Sequence, residues 1–392
     1  MSNIVLKGST SGDVTITVPA AAGTNTVTIP AATGNLPLSN LTHVTNRPNA
    51  KPLIINGDMK IAQRATSLTG QTGSAFQMDR FGFQMDTFGT WTMTQADDGP
   101  TGSGFTHALK WDCTTADTSL DAGHFGLCHY RFEGQDLQLL KKGTSSAEKI
   151  TVAFWVKSAK TGTYVLEVDD NDNTRQISQT YTIDSANTWE QKVLVFAGDT
   201  SGVLTNDNGI SLSVNWWLGS GSTYSGGTLS TTWTATTQAN RAAGVLNLAD
   251  STSNDWLLTG VQIEVGEYDA TTLPPFQHES FGDSFARCQR YFQRYTQPPL
   301  IGSANANNSV ARASIGLFPV QMRVAPTASQ SGTFNWFYSN AHQPTSTALA
   351  ASYTDVDGAE FDITVSGTGM TATHPCSVYQ SGSGYLQFDS EL

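Results

Sequence analysis

Apolar and polar residues alternate in short runs along most of this chain. Near its start Val14, Ile16 and Val18 alternate with threonines, and Val27 and Ile29 repeat the pattern, so that Thr15–Gly23 returns almost unchanged as Thr26–Gly34. Alternation marks strands with one buried face. Pro19 and Pro30 close the two copies, because proline has no N–H for a ladder. Strands this short bury too little apolar surface to offset their ordering entropy. Segment 1–50 is therefore expected to be completed by other copies of the chain or by a protein on which it docks. The alternative is a disordered leader.

A second unit begins at "LIINGDMKIAQR" and runs over 51–278. "ITVAFWVKSA", "GTYVLEVDD", "NTWEQKVLVFAG" and "GISLSVNWWLG" each read as half-buried strands, and turn residues punctuate them at the spacing of a β-sandwich or jelly roll. At 279–296 the period changes. Phe281, Phe285, Cys288, Phe292 and Tyr295 follow helical spacing, and Ser280 with Asp283 forms a capping box. Arg287, Arg290 and Arg294 line another face of this connecting helix, to be solvated or paired with acids, or else to hold an anion. Alternation resumes over 297–392, where Phe361, Ile363 and Val365 are clearest, and predicts a small C-terminal β-sandwich. The fold class is all-β, with one short helix.

Composition narrows the function. The chain has 392 residues, 21 Lys and Arg against 33 Asp and Glu, and a net charge of −12. Binding to phosphate backbones draws on basic side chains, so nucleic acid and anionic membranes are not expected partners. The longest apolar stretch falls short of a membrane span, and no charged segment followed by an apolar run suggests a signal peptide. The four cysteines, Cys113, Cys128, Cys288 and Cys376, are far apart and read as buried free thiols.

Candidate chemistry is sparse. No nucleophile elbow, HExxH motif or P-loop occurs. Cys113, His124, Cys128 and His129 resemble a zinc set, but His129 would point to the opposite face of a strand from His124 and Cys128. Asp169, Asn171 and Asn173 have calcium-loop spacing, yet Thr174 and Thr180 stand where an EF-hand loop needs Gly and Glu. An Asx-rich hairpin turn explains them better. Asp169, Asp170, Asp172, Glu264 and Glu267 are available to glycoside hydrolysis, with nothing to pair them. No cofactor or metal is expected, nor catalysis.

Aromatics among Gly and Ser are the remaining signal. Trp216, Trp217, Tyr224 and Trp233 cluster in one stretch, and Trp336 and Tyr338 form a second set. Trp216 and Trp217 face opposite sides of a strand, which puts one in the core and leaves the other to meet solvent, where an indole face suits a sugar ring. The alternative is that these aromatics pack in the core or under loops.

"GSTSGDVTITVPAAAGTNTVTIPAATG" resembles the N-terminal segment of bacteriophage tail and virion fibre proteins. "INGDMKIAQR", "MDRFGF" and "LTGVQIEVGEYDATTLPPFQHESFGDSFARCQRYFQRY" resemble a phage module with a carbohydrate-binding-like jelly roll, and "FPVQMRVAPT" with "FDSEL" resembles the C-terminal domain that commonly follows it. The resemblance implies a homotrimeric fibre of the virion, assembled in the host cytoplasm. Val14, Ile16, Val18, Val27 and Ile29 would anchor it to a phage tail or capsid protein, and its distal part would bind a host glycan or other receptor. A capsid decoration or tail adaptor with a structural role, and a glycan-degrading spike, are the other readings.

Overall fold

The computed structural model describes residues 4–7, 13–16, 51–296, 300–304, 310–338, 341–346, 349–364 and 375–392. Two compact units divide the chain, Met1–Val44 and Thr45–Leu392. In the first, Ile4–Lys7 pairs antiparallel with Asp13–Ile16, placing Val14 opposite Leu6 and Ile16 opposite Ile4. Val18, Val27 and Ile29 lie outside the described residues.

The second unit is built on two antiparallel sheets packed face to face. The seven-stranded sheet runs in the order Thr234–Ala235, Arg175–Ile183, Gly162–Asp170, Ile210–Ser220, Phe125–Glu133, Phe81–Asp86, Ala75–Met78. The six-stranded sheet runs Glu190–Phe196, Ile150–Ser158, Asp255–Val265, Ala108–Thr115, Thr90–Ala96, Ser67–Gln71. This is the all-β sandwich that the alternation predicts. Every second residue points inward, so Phe83, Tyr130, Trp216 and Leu166 of one sheet meet Trp91, Trp111, Phe154 and Trp256 of the other. Phe154 meets Trp216 edge to face at 5.8 Å, and Phe83 meets Trp111 at 5.5 Å. Such pairs contribute about 0.5–1.5 kcal/mol beyond the area they bury.

The "INGDM" loop seals one end. Asn56 accepts from the Ile61 N–H and donates to the carbonyls of Ile61 and Asp79, at 2.9–3.0 Å. A buried amide with these bonds made ties two loops that no ladder joins.

The helix is shorter than its apolar stripe suggests. Ser280 Oγ accepts from the Asp283 N–H as expected, but the helix spans Phe281–Gln289, and Phe292–Tyr295 is a strand. That strand pairs with Pro375–Asp389. The aromatic run suits a pleated, half-buried surface, and the ladder overrides the helical period. The C-terminal strands form one eight-stranded sheet around a second core of Leu300, Phe318, Phe334, Phe361, Leu386 and Phe388.

Arginines join this sheet to the sandwich. Arg64 pairs with Asp389 at 2.8 Å, Arg80 with Glu391, and Arg131 donates to the Leu392 carbonyl at 2.7 Å. Arg290 grips Glu133 at 2.7–2.8 Å, Arg287 pairs with Glu279 at 2.8 Å, and Arg294 donates to the Arg64 carbonyl. The three arginines thus spend their charge inside the chain. Cys113, Cys128 and Cys288 are free and buried; the side chain of Cys376 lies outside the described residues.

Arg80 and Glu391 are 1% and 3% exposed. Removing Arg80 leaves buried Glu391 with only the longer contact to Arg64 at 3.4 Å, so Arg80→Ala should cost about 3–5 kcal/mol, read from the denaturant midpoint. Burial pushes the nearby Asp79 carboxyl up to about 7, against the pull of Arg64 and the bonds from Gln63. A carboxyl whose folded pKa exceeds its unfolded value holds its proton better when folded. Its contribution is therefore full below about pH 4 and lost as pH rises through about 7. The stability of the native protein relative to Asp79→Asn should rise as pH is lowered across that window, measured by unfolding titrations at each pH.

Candidate functional site

The two outer faces of the sandwich have different fates. On the seven-stranded sheet, the segment after Ser220 folds back over the strands. Trp217, Leu127, Val165 and Ala242 form a cluster beneath it, joined by Phe125 and Tyr224. Arg241 descends from this cover to Glu167 at 2.7 Å and to Asp169 at 3.0 Å, while the Trp217 N–H and Asn215 also donate to Glu167.

The sequence-predicted aromatics fall mostly into this packing. Trp216 is fully buried between the sheets and Trp217 is 1% exposed beneath the cover. This corrects the expectation that one of the pair meets solvent: alternation sends Trp217 to the outer face, and a second layer closes over it. Tyr224 stacks obliquely on Trp217 at 5.4 Å, and Trp233 donates to the Ala197 carbonyl at 2.6 Å while packing on the core. Trp336 lies opposite Gln343 in the strand Thr327–Tyr338; the side chains of Trp336 and Tyr338 are outside the described residues.

The carboxylates are scattered. Asp170 is buried against Lys142, Asp172 accepts from Thr205, and Glu267 pairs with Lys149. The turn between Asp170 and Arg175 is an Asx hairpin turn, with the Asn173 N–H on Asp170 Oδ1 at 3.0 Å. Asp169 has Glu167, two residues back on the same strand, as a carboxylate neighbour on its own face. Burial, then the Glu167 charge, raises its pKa to about 6 against Arg241. Glu167 and Asp169 are nonetheless spoken for by one guanidinium, as parts of a latch. Cys128 points into the core and Cys113 belongs to the other sheet. His129 points out of the core under Phe76, and burial keeps it neutral well below the usual histidine range. Among the described residues no group of three or more His, Cys, Asp or Glu could hold a metal ion.

The outer face of the six-stranded sheet carries an open groove of about 460 Å³. Val152, Phe154 and Val156 face the core, so Trp155 faces outward into this groove, half-buried, with Gln191 paired beside it and Thr259 on its other side. Phe105, Phe276 and His278 form a wall, their ring centroids 4.9–5.3 Å apart. Ser103, Gln191 and Gln262 supply neutral polar groups.

Two local features hold the groove in shape. The ladder between Thr259 and Gln262 is irregular, and Gly260 sits there at φ +60°. A Cβ at Gly260 would lie 2.8 Å from Phe105 and 2.9 Å from Trp155. Only glycine lets the backbone take this left-handed conformation and lets both rings approach it. On the other bank Asp269 caps its own turn, accepting from Thr271 and Thr272; those bonds, Thr271 first, hold its carboxyl down to about 2. The prolines that follow stiffen the bank, and Gln262 donates to the Pro274 carbonyl at 2.9 Å.

Sequence reasoning passed over Trp155 and its wall. The signal for Trp155 was present, since strict alternation through "ITVAFWVKS" leaves its indole on the outer face. Phe105, Phe276 and His278 come from loops, where no period points.

No protein-family model and no curated protein matches the chain. Among solved structures it is similar to the enzymatically active domain of tailspike protein 4 of bacteriophage CBA120, at 12% identity and TM-score 0.28, over 55% of this chain and 21% of that one. It is similar to TmCBM61 in complex with β-1,4-galactotriose, at 9% identity and TM-score 0.28, over 55% and 99% of the two chains. A family 11 carbohydrate-binding module from Clostridium thermocellum overlaps at 10% identity and TM-score 0.26, over 50% and 96%. The chain thus spans about a fifth of that tailspike domain's chain. Overlaps this shallow carry no residue of those proteins' sites onto this one.

Gly260→Ala should lower stability by about 1–2 kcal/mol from backbone strain and, by pushing Trp155 and Phe105 away from the added methyl, change indole emission. Thermal melts and fluorescence spectra of the folded variant measure the two effects separately.

Proposed function

We propose that this protein is a subunit of a phage virion appendage, a tail fibre or similar part, that attaches the particle to its host by gripping a surface glycan without cleaving it. The groove over Trp155 carries this reading. It joins an outward indole and an aromatic wall to neutral amide and hydroxyl groups, the combination that stacks on the C–H face of a sugar and hydrogen-bonds its hydroxyls. The resemblance of the N-terminal repeat to fibre anchors supports docking of that end on a tail or capsid protein, with three copies completing one another's strands.

A glycan-degrading spike is the second reading, favoured by one observation: Asp169, with its raised pKa, lies beside Glu167. In that case sugar would be released and Asp169→Asn would stop the release. A capsid decoration or tail adaptor would bind virion proteins alone.

The test uses the full chain and host cells. Saturable binding that blocks phage adsorption, with no sugar released, is expected, and Trp155→Ala should weaken it about tenfold or more at unchanged fold. Folded, oligomeric protein that ignores cells would transfer the assignment to a structural role.

A further inference from the structure

What surrounds the groove bears on the charge and the length of its ligand. Lys, Arg, Asp and Glu are missing from its lining. The lysines on the same sheet face already have partners: Lys157 is paired with Asp98, and Lys110 lies 3.3 Å from both Asp112 and Asp255. Lys192, next to Gln191 in sequence, pairs with Glu190 at 2.6 Å. His278, in the wall, faces Asp58 at 3.8 Å, so an acidic sugar entering here would give up hydration and meet no unpaired lysine or arginine among these groups. The net charge of −12 would repel it on approach as well. An uncharged sugar loses nothing by this arrangement.

The aromatic surface continues past the groove. Gln191 is paired with Trp155 across the edge of the sheet, and Trp189 precedes Gln191 by two residues. Trp189 lies on this same outer side: its N–H donates to Asp98 at 3.1 Å, and the Lys157 ammonium is 5.3 Å from its ring centroid. Continuing the register of Gln191 with Trp155 sets Trp189 one diagonal step from Trp155, with the Gln191 amide at one corner between them and Lys157, paired with Asp98, at the other. Asp98 fixes the second indole. Burial pushes its carboxyl up, and the hydrogen bonds from Lys157 and Trp189 outweigh burial and bring it below its ordinary range.

We propose that the groove takes an extended, uncharged oligosaccharide, running from the Phe105–Phe276–His278 wall over Trp155 and Gln191 to Trp189. This rests on the glycan reading of the same groove and adds the class of glycan, the direction of the chain and a second stacking residue. Trp155 is the central platform and Gln191 the hydroxyl partner between sugars. Trp189 is a distal platform that only a longer chain reaches.

The experiment titrates the full-length protein with neutral gluco-, manno- and galacto-oligosaccharides, each as disaccharide and hexasaccharide, and with oligogalacturonates and oligosialic acids. Tryptophan emission and calorimetry report binding. At least one neutral series should bind, its hexasaccharide more tightly than its disaccharide, with the acidic series about tenfold weaker or silent. Trp155→Ala should weaken both lengths. Trp189→Ala should weaken the hexasaccharide several-fold and leave the disaccharide unchanged. Trp189→Phe, which keeps a ring but lacks the bond to Asp98, should retain part of the affinity that Trp189→Ala loses.

Acidic glycans that bind as well as neutral ones, and lose binding in Trp155→Ala, would overturn the charge assignment while leaving the groove a glycan site. Equal affinity for both lengths, or a Trp189→Ala protein that binds hexasaccharide normally, would overturn the extended path. Silence from every glycan with folded native protein would overturn the glycan reading itself.

Discussion

Every strand in a sheet has two faces, and a two-sheet sandwich can bury only one of them against the other sheet. The rest of this structure follows from what happens to the second face. On the seven-stranded sheet the chain covers it with its own segment, pinned by Arg241 on Glu167 and Asp169. Trp217 consequently behaves as a core residue although it points away from the core. On the six-stranded sheet the loop residues at 103–105 and 270–278 border a groove, and Trp155 stays within reach of solvent. One alternating pattern thus places tryptophans in three environments: between the sheets, under a cover, and in an open groove.

The same economy governs charge. Only 14% of residues are charged, and many arginines of the second unit are used as structural bolts. Arg80 illustrates the cost. It occupies the left-handed region at φ +72°, and its guanidinium is buried over the Tyr291 ring at 3.5 Å. A non-glycine residue holds such a conformation only where the surroundings over-determine it. Here Glu391, the Arg131 carbonyl and two tyrosine rings do so. The C-terminal sheet is joined to the sandwich by bonds whose loss would leave buried charges unpaired. Lys, Arg, Asp and Glu are likewise absent from the lining of the groove over Trp155.

The strands were legible because period two survives even where both faces are buried; "ITVAFWVKS" and "GTYVLEVDD" fold as their patterns say. The helix was legible at its start, where Ser280 caps it, and not at its end. Phe292 and Tyr295 satisfy the helical stripe and the strand equally well, and only the partner strand, almost a hundred residues later, decides between them. The aromatic site was half legible. Alternation fixes which way Trp155 and Trp217 point, but whether a segment lies on top is a tertiary fact set by Arg241 and Tyr224. Density of tryptophan drew attention to the covered face, whereas the open groove takes one indole from a strand and the rest of its wall from loops.

An open groove with neutral polar groups has a consequence for how the proposed appendage would work. Sugars hydrogen-bond to water about as well as to Gln191 or Ser103, so each bond contributes only its small net difference. Stacking on one or two indoles adds a little more. A single site built this way would hold a sugar weakly and release it quickly. That is a workable design only if sites are multiplied. In a trimeric fibre, with several fibres on one particle, the second and third contacts become intramolecular and overall avidity rises by about 10²–10⁴ without a new contact. The repeated sequence at the start of the chain and the open groove would then answer one another: the first would gather the copies that make the second strong enough to hold a cell.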